Sequence, residues 1–152
     1  METLLTPDAP FDLYLQGNQS AISDTAKIGW QKFQQLGCIV CHQGQNIGGN
    51  LFQRFGNVGN EQSQPDETDT GRFAITGNPR DKYVFRVASL RNVAKTAPYF
   101  HDGRAKTLED AITVMAKKQL GQELDAATIV ELSAFLSSLS APNPAILEVL
   151  AQ

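Results

Sequence analysis

The chain has 152 residues, of which 41% are apolar, and a formal net charge of −3 with its 13 Lys and Arg scattered along it. That length suits one domain with its own hydrophobic core, and the scattered charge offers no basic surface for nucleic acid or an anionic membrane. No run of 18 apolar residues is present, so no membrane-spanning helix is expected, and two cysteines with two residues between them do not make a disulfide framework.

In chain order, residues 1 to 21 carry Pro7, Pro10 and Gly17 and read as an irregular lead-in. Their first 15 residues, METLLTPDAPFDLYL, lack the basic and apolar blocks of a secretory signal. A single domain is expected over residues 22 to 152. Ser23 reads as the N-cap of a first helix, with Ala26, Trp30 and Phe33 at helical spacing. Gly29, one turn before Phe33, offers bare backbone against which another helix can approach closely. The helix stops at Leu36-Gly37.

Residues 43 to 87 hold seven of the twelve glycines, with Pro65, Pro79 and the acidic run Glu61, Asp66, Glu67 and Asp69. So long a stretch without strong periodicity is unusual in a compact domain unless it wraps something. A strand is expected at Tyr83 to Val87 and a helical turn at Ser89 to Ala94. Thr107 opens the next helix with Asp110 in capping-box register. Leu108, Ala111, Ile112 and Met115 form its stripe, Lys117 and Lys118 suit its C-terminal end, and Gly121 stops it. A third helix spans about Asp125 to Leu139, with Ile129, Leu132, Leu136 and Leu139 on one face. Pro142 and Pro144 end it, and Ala145 to Leu150 read as a short terminal turn. The fold class is therefore all-α, with three main helices separated by long loops.

The chemistry concentrates in Cys38-Ile39-Val40-Cys41-His42, which holds both cysteines and one of the two histidines. A redox dithiol wants a preceding strand and a βαβ frame, and here a helix precedes. Structural zinc wants four ligands, usually in two spaced pairs, and the remaining histidine, His101, stands alone 59 residues on. Covalent haem attachment fits the motif: Cys38 and Cys41 add to the two porphyrin vinyl groups and His42 supplies the proximal imidazole. The long loops then have a large apolar body to enclose. For the opposite face of the iron the residues leave Met115, His101 and Met1. Met115 is favoured over His101, although its stripe position also suits a core gap-filler. Arg86 and Arg91 are candidate partners for the haem propionates.

Several blocks carry a family likeness. They are Leu51-Phe52-Gln53-Arg54-Phe55-Gly56, Thr76 to Val87 (TGNPRDKYVFRV), Ser89 to Gly103 (SLRNVAKTAPYFHDG) and Thr107-Leu108-Glu109-Asp110-Ala111. With Pro10 to Leu15, they resemble the C-terminal half of the bacterial di-haem cytochrome c peroxidases over nearly the whole chain. The resemblance implies a cytochrome c-like fold around one covalent haem c, with His42 and Met115 as the iron's axial ligands. It also implies a calcium ion held in part by the backbone carbonyls of Thr96 and Pro98, at a boundary with a second domain. The expected function is single-electron transfer in the periplasm, from a small cytochrome c or cupredoxin to a peroxidatic haem domain. Only one Cys-x-x-Cys-His is present, so the resemblance is to the electron-transferring half. The alternative is a self-contained mono-haem peroxidase with a labile sixth ligand, in which His101 or Glu109 would assist O–O cleavage.

Overall fold

The computed structural model describes residues 8–56 and 68–142. Met1, the acidic run apart from Asp69, and the turn expected at 145 to 150 lie outside them.

Helix α2 (Asp24–Gln35) starts where Ser23 accepts a hydrogen bond from the Ala26 amide at 3.1 Å. Helix α5 (Ala126–Ser137) starts where Asp125 accepts from the Thr128 amide at 2.7 Å. In both, the cap satisfies an amide that the first turn leaves without an intrahelical partner. The two helices pack closely on each other. Gly29 makes the crossing possible: a Cβ there would stand 1.9 Å from the Glu131 carbonyl oxygen and 2.9 Å from Phe135 Cβ. Helix α4 (Leu108–Met115) packs on α5 and carries the expected capping box. Thr107 Oγ1 accepts from the Asp110 amide at 3.1 Å, while the Thr107 amide donates to Asp110 Oδ2 at 3.3 Å.

The described part of the lead-in is not irregular throughout. Pro10–Leu15 forms helix α1, with Pro10 in its first turn, where the missing amide costs nothing and the fixed φ suits the helix. Asp12 closes that turn by accepting from the Ala9 amide at 3.1 Å. The helix is held by Phe11, whose ring lies edge-on to Trp30 (5.0 Å) and Phe135 (5.1 Å). The Phe11 amide also donates to the Ser138 carbonyl. Phe135 and Leu139 are fully buried at the centre of this aromatic and aliphatic core.

Between α2 and α4 the described residues form loops, short 3₁₀ turns, one short helix and a small sheet. Strand β1 (Phe52–Arg54) pairs antiparallel with β2 (Val84–Arg86), placing Phe52 opposite Arg86 and Arg54 opposite Val84. Thus β2 falls within the expected strand, and β1 is its unanticipated partner. The short helix α3 (Phe73–Thr76) was also unanticipated. The turn expected at Ser89 to Ala94 is a 3₁₀ turn at Val93–Lys95, displaced by Asn92, which takes a left-handed φ of 60°. One more correction concerns α4. Its regular α-helical part ends at Met115 and continues as a π-helical turn, Ala116–Leu120, before Gly121 stops it at φ 65°.

Candidate haem-attachment site

The Cys-x-x-Cys-His segment follows α2 directly. Gly37 turns the chain with a φ of 90°, and Cys38–Val40 form a single 3₁₀ turn. The Cys41 and His42 amides both donate to the Cys38 carbonyl, at 3.3 and 3.0 Å, so the turn holds the two thiols and the imidazole in one compact unit. Both cysteines are half-buried and neither is in a disulfide, and Cys38 packs against the core. Burial pushes the Cys38 thiol up to about 11. That is the reverse of an activated dithiol, whose nucleophile is held low by positive surroundings.

His42 is fixed from behind. Its Nδ1 is 3.1 Å from the Ala88 carbonyl oxygen. A carbonyl only accepts, so the proton sits on Nδ1 and Nε2 carries the lone pair a metal takes. Burial lowers the affinity of the ring for a second proton, outweighing the carbonyls of Ala88 and Ile47 that act in the other direction. The imidazole is therefore held neutral with one defined donor nitrogen, the state in which histidine binds metal.

The residues that carry Ala88 are stitched to the loop after His42. Arg91 Nε donates to the Gln45 carbonyl at 3.0 Å, Ser89 Oγ to the Asn46 carbonyl at 2.8 Å, and the Leu90 amide to the Ile47 carbonyl at 3.2 Å. The Gly49 amide donates to the Val87 carbonyl at 2.8 Å, and Arg86 donates to the Gly49 carbonyl through Nε (2.8 Å) and Nη2 (2.6 Å). Arg91 closes the clamp with its terminal nitrogens on Asp12 at 2.6 and 2.7 Å, tying α1 to the same loop. Beside His42 a cavity of about 350 Å³ opens, lined among others by Phe11, Leu15, Trp30, Ile39 and Arg91. The bonds of Arg86 and Arg91 are ones that residue type did not reveal, since their partners lie 37 and 79 residues away.

The other expected site residues are placed as follows. Met115 ends α4 half-buried, and the core takes Leu108, Ala111 and Ile112 from that helix without it. Its thioether stands just before a π-helical turn, a feature frequent at functional sites. His101 is exposed; its Nε2 meets Asp69 Oδ2 at 2.5 Å and its ring stacks on Phe85 at 5.1 Å. Glu109 accepts from Ser133 Oγ at 2.6 Å. Thr96 and Pro98 lie on an exposed loop, with Thr96 Oγ1 donating to the Val93 carbonyl at 2.9 Å. Among the described residues, no three Cys, His, Asp or Glu side chains converge as a metal cluster, and no helix is long and apolar enough to cross a membrane.

A half-buried thiol pair on one turn, followed by an imidazole with its outer nitrogen tied down, is a donor set that suits covalent haem. The helix-rich fold with its two-stranded sheet and this site define a domain of the c-type cytochrome class. No family model matches the chain. It is 46% identical over 147 residues to the cytochrome c551 peroxidase of Pseudomonas aeruginosa, covering 93% of this chain and 41% of that protein. It is 39% identical over 146 residues to the cytochrome c551 peroxidase of Nitrosomonas europaea, covering 94% and 42%. It is 40% identical over 144 residues to the cytochrome c peroxidase Ccp of Escherichia coli, covering 91% and 30%. Among solved structures it is similar to a MauG-like protein associated with microbial copper homeostasis. That match has a TM-score of 0.72 and 26% identity, over 89% of this chain and 52% of the other. The chain is homologous to these bacterial cytochrome c peroxidases, and the match is consistent with the C-terminal domain of their di-haem members. It spans at most about two-fifths of the length of these curated relatives.

Proposed function

We propose that the chain is a single-haem electron-transfer module acting in the periplasm. Cys38 and Cys41 would hold haem c through thioether bonds, and His42 Nε2 and the Met115 thioether would bind its iron. Bound there, haem supplies a one-electron iron couple, and a thioether ligand sets that couple high, as suits an acceptor of electrons from small soluble donors. The chain's own work is to fix the donors. The Ala88 carbonyl sets the tautomer and aim of His42, and the capped helix α4 brings Met115 to its end. The observation that carries the reading is the bond from His42 Nδ1 to Ala88, which commits the ring to one metal-binding nitrogen.

The donor in this reading is a small cytochrome c or cupredoxin, and the acceptor is a peroxidatic haem domain that reduces hydrogen peroxide. Arg86 and Arg91 serve the propionates only by sharing guanidinium groups already bonded to Gly49, Gln45 and Asp12. The carbonyls of Thr96 and Pro98 form the chain's share of a calcium site, whose other ligands come from a partner domain. The mono-haem peroxidase alternative would need His101 or Glu109 released from Asp69 or Ser133. Optical and potentiometric titration of the haem-loaded protein, with and without calcium, tests the reading. One haem per chain, a single one-electron wave and a ferric spectrum unmoved by peroxide are expected. A high-spin ferric spectrum that changes on adding peroxide would refute it in favour of the peroxidase.

A further inference from the structure

The carbonyl that orients His42 is itself seated against a glycine. Gly48 has a φ of 128°, and a Cβ on it would stand 2.1 Å from the Ala88 oxygen and 2.9 Å from the Ala88 carbonyl carbon. Its amide donates to the Gln43 carbonyl at 2.9 Å, anchoring it to the residue after His42. Gly48 thus stands against the Ala88 oxygen that accepts the His42 Nδ1 proton. Its neighbours in the loop differ: at Gly49 a Cβ would meet only the Arg86 guanidinium at 3.7 Å, and at Gly44 only the Asn50 amide nitrogen at 3.6 Å. All three have positive φ, so strain is common to them and the collision with Ala88 belongs to Gly48.

We infer that Gly48 is a positioning residue for the metal-binding imidazole: its bare backbone lets the Ala88 carbonyl approach His42, and so tunes the donor strength of Nε2. The inference rests on the reading of His42 as an iron ligand. A strong bond from Nδ1 to a carbonyl gives the ring imidazolate character, which makes Nε2 a stronger donor and favours the ferric state. A side chain at position 48 pushes the Ala88 oxygen away, lengthens that bond and weakens the donor. The ferric state loses support and the reduction potential rises.

The test compares haem-loaded wild type with Gly48→Ala, Gly44→Ala and Ser89→Ala. The readouts are the potential and the NMR resonance and solvent exchange of the His42 Nδ1 proton. Wild type should show a protected Nδ1 proton. Gly48→Ala should expose that proton and raise the potential by the equivalent of about tenfold in the one-electron equilibrium constant, ~59 mV. Gly44→Ala also puts a side chain at a positive φ and should leave both unchanged. Ser89→Ala frees the residue after Ala88 from Asn46 without adding strain and should move both in the same direction as Gly48→Ala, by less. Equal shifts in Gly48→Ala and Gly44→Ala would overturn the inference. So would a wild-type Nδ1 proton that exchanges as fast as an exposed imidazole. If Gly48→Ala does not load haem, an unmoved Ser89→Ala overturns it. Failure of the underlying reading looks different: the wild type itself would then show no axial imidazole resonance, and His42→Ala would keep the wild-type spectrum.

Discussion

Replacing Gly29 with alanine probes the crossing on which the domain is built. An alanine in the middle of α2 should by itself favour the helix by about 1 kcal/mol, because glycine is the costlier residue there. Geometry opposes it. The new Cβ would lie 1.9 Å from the Glu131 carbonyl oxygen, in the backbone of α5 where no side-chain rotation relieves the contact. The two helices would have to separate by about 1.5 Å to reach an ordinary van der Waals approach. A gap of even half that forfeits a quarter or more of the dispersion energy of the atoms it parts, and here it parts Trp30 and Phe33 from Phe135. Overpacking of a well-filled core costs roughly 1–3 kcal/mol. At the upper end, less the helix gain, Gly29→Ala destabilises by ~2 kcal/mol, a fall in Tm of about 4–8 °C for a domain of this size. Urea and thermal unfolding of the haem-loaded protein would measure it. A variant as stable as the parent, or more so, refutes the close crossing.

Three further outcomes follow from particular contacts. Phe11→Ala should cost about 3 kcal/mol in urea unfolding, because a ring only 2% exposed leaves a hole between Trp30 and Phe135; a loss under about 1 kcal/mol would mean that α1 is not part of the core. Arg91→Ala should cost about 2 kcal/mol, since it strands Asp12 in a half-buried site and removes the bond to Gln45. Arg91→Lys should recover only part of this, because lysine cannot bridge both carboxylate oxygens, and faster amide exchange in residues 43 to 49 would report the loosened clamp. Asp125 is held below the usual carboxylate range by its bonds to Thr128. Its contribution is therefore complete above the unfolded carboxylate value and is lost as pH falls through the depressed one. Asp125→Asn keeps the cap and should flatten that part of the acid limb of a stability–pH curve; an unchanged limb would contradict the assignment.

The three main helices were legible because local chemistry decides them. Ser23, Thr107 and Asp125 announce their caps, Gly121 marks a stop, and Gly29 declares a close approach that the structure bears out. Helix α1 was not read, because Pro7, Pro10 and Gly17 look like breakers, whereas Pro10 sits in the first turn, where it is tolerated. Strand β1 was missed for another reason: three exposed residues carry no alternation, and their partner is 32 positions away. At the candidate site, the Cys-x-x-Cys-His motif is local and is legible in five residues. Its support is not local. The Ala88 carbonyl, Gly48 and the Asp12–Arg91 pair come together only when distant loops pack, and a backbone carbonyl leaves no mark in the residue type that bears it. The nearest sequence hints were the adjacent Gly48 and Gly49, a pair that permits close backbone approach.

The ferric spectrum of the haem-loaded chain tests the central claim most directly, through the far-red band of a thioether bound to iron. With His42 and Met115 as the axial pair, the wild type shows that band and Met115→Ala loses it while keeping its covalent haem. A band that survives Met115→Ala, or one missing from the wild type, would contradict the proposed His42–Met115 pair.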